Sequence, residues 1–179
     1  LYELTQQISY ALDYDELFRL ILQHIHRVVD YDVAGSLLVS DDRCEMFIKK
    51  DQPLTSELES WIRKRMLDTY KDLSGSEVPE ERLEVITLET DNYNPEAQPL
   101  ERLHSTFSVP LIVDNHIIGL LFVGAEKENA FGEEHLRVLF TLSSQMAISI
   151  QRLRALLAAE QTRLEAAIQS MREGVVLLD

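Results

Sequence analysis

The sequence of 179 residues has little cysteine and no long apolar run. Its single cysteine, Cys44, cannot form a disulfide within the chain. The most span-like apolar stretch, Ile117 to Ala125, has nine residues, whereas a membrane helix needs about twenty. No charged-then-apolar secretion signal opens the chain. We therefore expect a cytoplasmic protein that makes no membrane contact through this chain.

Basic residues are also scarce. Lys and Arg number 17 against 31 Asp and Glu, which gives a formal net charge of -14. Such a chain repels a phosphate backbone, so nucleic acid is not an expected partner. The 45% of apolar and 27% of charged residues suffice for one folded domain with an appendage and exclude a disordered tail.

The motifs of common catalytic and metal sites are missing. The sequence contains no phosphate loop, no GxSxG and no HExxH. Cys44 has no neighbouring histidine and falls on the apolar face of a predicted strand, which is typical of a buried, inert thiol. His24 and His26 are two residues apart on a predicted helix and point away from each other. We predict no catalytic residue, no metal site and no enzyme activity of this chain.

Apolar periodicity predicts the elements of the first part of the chain. Asp13 and Glu16 form a capping-box pattern ahead of an amphipathic helix. The runs 33–40 and 44–49 predict two strands, the second of them half-exposed because its residues alternate. A second helix with a narrow interior face follows, and 72–81 and 89–101 are predicted loops. The residues of that helix stripe are Leu54, Leu58, Trp61, Ile62 and Met66.

A hairpin is the strongest strand signal. The runs 107–113 and 117–124 are joined by Asp114, Asn115 and His116, and asparagine tolerates the left-handed backbone of a tight turn. The second run is apolar on both faces. We therefore expect a strand with helices on both sides of its sheet.

The C-terminal part predicts one long helix, because neither Gly nor Pro occurs from Glu133 to Arg172. Apolar residues occupy nine of eleven heptad seam positions, with irregularities at Ser143 and Glu160. The alternative is that the stripe packs on the sheet of its own domain as far as Leu153, beyond which a partner helix is needed. The predicted dimer seam consists of Ile150, Leu153, Leu157, Leu164 and Met171.

A pocket is predicted where small residues interrupt a bulky strand. Gly35 and Ser36 leave room for something to approach closely, and the lid would be the Trp61 helix with the long loop 72–103. The alternative is a bulge or a tight contact with a helix. Gly35, Ser36 and Trp61 are thus the candidate lining of a pocket whose ligand or cofactor is unknown.

Together these segments resemble a GAF domain over Leu4 to Leu153. The resemblance depends on the hairpin Ser108-Val109-Pro110-Leu111-Ile112-Val113 and Ile117-Ile118-Gly119-Leu120-Leu121, and on Asn129-Ala130-Phe131-Gly132-Glu133-Glu134 before the last helix. Asp13-Tyr14-Asp15-Glu16-Leu17 is similar to the beginning of such domains. The last residues, 167–179, resemble the opening of a PAS domain.

The resemblance implies an α+β fold. Its sheet would have six antiparallel strands, with the N- and C-terminal helices on one face and the lid helix and loops on the other. We expect a GAF-like sensory domain at 1–153, a coiled-coil linker helix at 154–173 and the start of a PAS-like domain at 174–179.

The expected function is a non-catalytic sensor and dimerisation module. It would bind a small molecule and pass its state through the long C-terminal helix of a parallel homodimer to a downstream output domain, such as that of a sensor histidine kinase. The alternative is a ligand-free structural GAF module that only dimerises and transmits.

Overall fold

The computed structural model describes residues 14–26, 28–40, 44–89 and 93–176. Helix α1, Tyr14–Ile25, opens this part, and its apolar stripe is fully buried. The stripe consists of Leu17, Phe18, Ile21, Leu22 and Ile25. The predicted helix is therefore confirmed, while Asp13 of its capping box lies outside the described residues.

Five strands form one sheet in the described part of the chain. They are β1 Val33–Val39, β2 Cys44–Lys50, β3 Leu83–Glu89, β4 Ser105–Val113 and β5 His116–Ala125. The spatial order is β3-β2-β1-β5-β4, and every pair is antiparallel except β2 with β3, which is parallel. The prediction of six antiparallel strands is therefore wrong: over the described residues the sheet is mixed and has five strands.

The parallel edge strand lies within a segment predicted to be an irregular lid loop. Helix α2, Ser56–Ser74, connects β2 to β3 and supplies the crossover that a parallel pair requires. A short 3₁₀ turn, Glu80–Arg82, leads into β3. In β3, Ile86 and Leu88 face one side of the sheet while Leu83 and Val85 face the other. The loop 72–103 thus contains a strand that completes the sheet edge.

The β4–β5 hairpin agrees with its prediction. Asp114 and Asn115 form the turn with φ of 49° and 64°, the left-handed values that tight hairpins require. β5 is buried along most of its length, because helices cover both faces of the sheet.

Two apolar layers hold the fold together. Helices α1 and α3 cover one face of the sheet, and α2 covers the other. Both faces of β2 are buried, so the prediction of a half-exposed strand is wrong. The alternation of apolar and polar residues predicted that one face of β2 is exposed, but Glu45 and Lys49 on that face are buried together with Phe47.

The two remaining helices differ in how much of them is buried. In α2 one narrow stripe is buried, Leu58, Ile62, Met66 and Tyr70, and Thr55 Oγ1 caps the helix by accepting from Leu58 N at 3.3 Å. Helix α3, Glu133–Val176, is a single helix of 44 residues, about 66 Å long. It includes Val175 and Val176, which belong to the segment 174–179 predicted as the start of a PAS-like domain. No described helix is long and apolar enough to cross a membrane.

Candidate functional site

The space between α2 and the sheet is filled by apolar side chains. Ile62 and Met66 of α2 meet Leu37, Met46 and Phe122 of the strands, and all five are buried. Gly35 lies directly below this contact: a Cβ there would stand 3.0 Å from the Phe47 carbonyl oxygen and 3.2 Å from Met66 Sδ. Gly35 therefore allows α2 to pack closely on the sheet, which is the tight helix contact given as the alternative to a pocket.

Ser36 faces the other side of the sheet from Gly35, towards α1 and α3. It is fully buried, and its Oγ has no hydrogen-bond partner among the described residues. Successive residues of a strand point to opposite faces, so Gly35 and Ser36 do not line one pocket.

Trp61 lies on the flank of α2 and is 44% exposed. It lines an open groove of about 430 Å³ next to the segment that leads into β4. Leu58, Leu103 and His104 line the groove with it, and Glu57, Glu101 and Arg102 add charges of both signs. Trp61 lines this groove, whereas Gly35 and Ser36, the other two predicted lining residues, do not.

A larger groove, about 860 Å³, runs along the other flank of α2 towards β3. Lys71 forms an exposed ion pair with Glu77 there. The hydrogen bond with Glu77 raises the pKa of Lys71, and the same contact lowers the pKa of Glu77. Arg63, Lys64 and Glu80 also line this groove, whose mixed charges do not select one class of ligand.

A polar cluster fixes the C-terminal end of α1. The hydroxyl of Tyr31 donates to the Leu22 carbonyl oxygen at 2.7 Å, and Lys49 Nζ donates to the same oxygen at 3.1 Å. A carbonyl in the last turn of a helix lacks a complete set of helical partners, so these two buried donors anchor α1 to β2 through Lys49 and to the segment before β1 through Tyr31. His26 Nε2 lies 3.6 Å from Asp51 Oδ2 at the edge of the cluster.

Tyr31 makes the stability of the folded domain fall as the pH rises in the alkaline range. Burial, followed by the nearby Asp51 carboxylate, raises the pKa of Tyr31 above its usual value of about 10. Above about pH 10 the unfolded chain releases this proton while the folded chain retains it, so the stabilisation present below pH 10 is lost as pH rises. We expect Tyr31→Phe to lose about 1 kcal/mol at pH 7 with the hydrogen bond, and to flatten the fall in stability above pH 10. Urea unfolding from pH 7 to 11 measures both, and an unchanged alkaline slope would contradict the assignment.

In the part of the chain that the structure describes, the side chains that could support catalysis or bind a metal do not cluster at one site. Within the described ranges no group of three or more His, Cys, Asp or Glu side chains is placed to hold a metal ion. Cys44 is buried at the start of β2, as the sequence predicted. His104 lies at the Trp61 groove and His116 in the hairpin turn, where its Nδ1 is 2.8 Å from the Asp114 carbonyl oxygen.

The predicted dimer seam divides into two parts. Ile150 and Leu153 are buried in the core of their own domain, as the alternative interpretation of the stripe expected. Leu157, Leu164 and Met171 are exposed, by 54%, 61% and 71%. Leu156 and Ile168 are exposed beside them and were not part of the predicted seam. The heptad count had placed Ala167, the residue before Ile168, among the seam positions.

Polar contacts tie α3 to the sheet where the helix leaves the domain. Gln151 Nε2 donates to Asp114 Oδ1 in the hairpin turn at 3.2 Å. One turn further, Arg154 Nη2 lies 3.5 Å from the carbonyl oxygen of Val39, at the end of β1. The free part of α3 therefore begins at about Arg154.

Comparison with known proteins decides the family. A family model described as GAF domain matches residues 11–151, which is most of the chain. The chain belongs to the GAF-domain family. GAF domains are sensory and regulatory modules that often dimerise and bind small molecules, and in general they are not catalytic. No curated protein matches the sequence.

Solved structures agree on the GAF fold. The GAF domain of a phosphoenolpyruvate-protein phosphotransferase from Acinetobacter is 17% identical, with a TM-score of 0.53 over 86% of this chain and 92% of that one. A GAF domain/HD domain protein from Geobacter sulfurreducens is 14% identical, with a TM-score of 0.53 over 83% and 98%. A methyl-accepting chemotaxis protein is 14% identical, with a TM-score of 0.50 over 86% and 98%. At such identities the likeness concerns the fold alone.

Proposed function

We propose that this GAF domain is a non-catalytic relay that associates with a second copy through the free part of α3. The supporting observation is the row of exposed apolar residues after Leu153, which is the last buried residue among the α3 side chains that the structure describes. A helix exposing Leu157, Leu164, Ile168 and Met171 along one face needs a partner to remove them from water. The relay would act on an output domain such as that of a histidine kinase.

We favour the ligand-free version of the relay. The side chains of Ile62, Met66 and Phe122 already occupy the space between α2 and the sheet, where a lid helix would enclose a ligand. If this domain senses a small molecule, we propose the groove beside Trp61 as its site, because about 430 Å³ suits a small ligand. Both versions predict the same association through α3, and they differ in whether a small molecule binds in the groove beside Trp61.

The relay predicts that charge in the exposed row abolishes association. We expect the combined change Leu157→Glu and Leu164→Glu to give a monomer where the wild type dimerises, because four carboxylates would be brought into one apolar contact. Native mass spectrometry of the wild type should show about twice 20.6 kDa. Added mass lost on denaturation would support the sensing version, and its absence the ligand-free one.

The matched control changes exposed residues on the other side of the same part of α3. Ala159→Glu combined with Ala166→Glu adds the same charge there and should leave the dimer intact. A dimer that persists in the Leu157 and Leu164 variant would refute the relay proposal.

A further inference from the structure

The exposed row of α3 lies on the side of the helix that packs against its own domain. At about 100° per residue, residues seven apart differ by only about 20° around a helix, and residues eighteen apart coincide. Leu157 and Leu164 therefore follow Ile150 along one face, and Ile168 lies in line with it. Ile150 is fully buried in the core that α1 and the sheet share with α3. The row thus continues, beyond the domain, the face of α3 that α1 and the sheet cover.

Helix α1 runs in the same direction as β2. The ring of Phe18 stacks on that of Phe47 with centroids 4.6 Å apart. Further along both elements, Lys49 Nζ donates to the carbonyl oxygen of Leu22. Tyr14, the first described residue of α1, therefore lies one helical turn beyond Phe18, towards the start of β2.

Helix α3 runs in the opposite direction, along β4. The ring of Phe140 contacts that of Phe107 near the start of β4, with centroids 6.1 Å apart. Eleven residues later, Gln151 reaches Asp114, which directly follows the end of β4. β2 and β4 run in opposite directions, because each of the pairs β2–β1, β1–β5 and β5–β4 is antiparallel. The two helices are in contact and are therefore antiparallel to each other.

The beginning of α1 and the exit of α3 are consequently at the same end of the sheet. Arg154, where α3 leaves the domain, lies 3.5 Å from the carbonyl oxygen of Val39. Val39 pairs with Cys44, the first residue of β2. Tyr14 lies towards that same end, so the chain that precedes it leaves the domain next to the free part of α3.

Residues 1–12, which precede the described part of the chain, have the sequence pattern of an amphipathic helix. Apolar residues recur there at spacings of three and four, and neither Gly nor Pro occurs. The apolar positions are Leu1, Leu4, Ile8 and Leu12. As a helix the segment would be about 18 Å long, and the same length of α3 from Arg154 ends at Glu165. That length includes Leu157 and Leu164.

From these observations we infer that residues 1–12 pack along the first part of the free α3 of their own chain and cover Leu157 and Leu164. The exposed row falls within about 60° around the helix, and Glu160 and Gln161 lie on its two sides. Such a narrow seam suits one partner helix at a time. The segment and a second copy therefore compete for the row.

The competition rests on the proposed function, because the second copy is the other occupant of the row, whereas the intrachain contact does not. An isolated helix of about twelve residues is only marginally stable in water. The segment is therefore readily displaced when a second copy binds. Association is then governed by the fraction of chains in which the row is open.

Charges in the apolar stripe of the segment test the competition in the full chain. We expect Leu4→Glu combined with Ile8→Glu to release the segment and to lower the dissociation constant of the dimer about tenfold, because more chains have an open row. Gln6→Glu combined with Tyr10→Glu is the matched control. It adds the same charges at the same spacing on the other side of the segment and should leave the dissociation constant unchanged. Sedimentation velocity over a concentration series measures both.

Alkylation measures the intrachain contact itself, at a dilution where the chain sediments as a monomer. Leu164→Cys should react slowly with a maleimide in the otherwise unchanged chain, and several-fold faster when Leu4→Glu and Ile8→Glu are added. Met171→Cys lies on the same row, about two turns beyond Leu164 and outside the reach of the segment, so its rate should not change. Cys44 is buried, and peptide masses identify the alkylated cysteine.

The two measurements together decide the inference. Faster alkylation of Leu164→Cys with a tighter dimer supports it. An alkylation rate that the Leu4 and Ile8 changes leave unaltered overturns the intrachain contact and leaves the relay proposal intact. Faster alkylation with an unchanged or weaker dimer overturns the competition. Chains that remain monomeric at every concentration, with and without the Leu4 and Ile8 changes, overturn the relay and with it the competition.

Discussion

Replacing Gly119 with alanine is expected to destabilise the domain by about 3 kcal/mol or more, a large part of the 5–15 kcal/mol typical of a domain. A Cβ at this position would stand 2.0 Å from the carbonyl oxygen of Leu37 and 3.0 Å from its carbonyl carbon. Those atoms belong to β1, in the middle of the sheet. The backbone of β1 cannot move aside as a flexible side chain can, so hydrogen bonds between β1 and β5 must break.

The reason for this close approach is an irregularity in β5. Leu111 pairs with Gly119, while Ile112 pairs with Ile117, so Ile118 is an extra residue opposite β4. Bulges of this kind bend a strand and bring backbones close together, where glycine is often needed. Gly119 is therefore required by the bulge.

Urea unfolding of the Gly119→Ala variant measures the loss. Gly132→Ala is the control, because a Cβ there meets no atom within 4 Å. Since Gly132 precedes the first turn of α3, alanine should cost no more than about 1 kcal/mol at such a capping position. Equal losses in the two variants would refute the steric argument.

Ile150→Ala should lower the stability of the domain and Leu157→Ala should weaken dimerisation, although both residues lie on one face of α3. Ile150 is fully buried, and its truncation should cost about 3 kcal/mol through lost burial and a cavity. Leu157 is 54% exposed, and its truncation should change the stability of the dilute chain by no more than about 0.5 kcal/mol. Its effect should fall on dimerisation.

The measurement combines urea unfolding at low concentration with sedimentation at high concentration. We expect a lower unfolding midpoint for Ile150→Ala, and weaker association with an unchanged midpoint for Leu157→Ala. If both variants lost the same stability at low concentration, the division of α3 into a packed half and a free half would be wrong.

Local patterns identified most of the helices and strands. The β4–β5 hairpin, α1 and the continuous α3 are each encoded by neighbouring residues, such as the Asp114-Asn115 turn or the absence of Gly and Pro after Glu133. The family resemblance depended on these same segments, and the GAF match over 11–151 confirms it. The PAS-like start at 174–179 and the domain boundaries remain predictions.

The candidate site was predicted less well than the fold. Trp61 lies at a groove, but Gly35 and Ser36 are on opposite faces of β1. Small residues show only that something approaches closely, and here Met66 is the neighbour of Gly35. Ile168 was absent from the predicted seam because heptad counting does not measure exposure.

The sequence by itself determined that this chain is an acidic GAF domain with a helix too long for its core, because composition, turn chemistry and periodicity are local properties. Only the tertiary structure decided that β3 pairs parallel to β2 and that both faces of β2 are covered. It also decided that one face of α3 is buried as far as Leu153 and that the side chains from Leu157 to Met171 are exposed. These outcomes depend on which distant segments fill the space beside a residue, and a one-dimensional pattern does not contain that information.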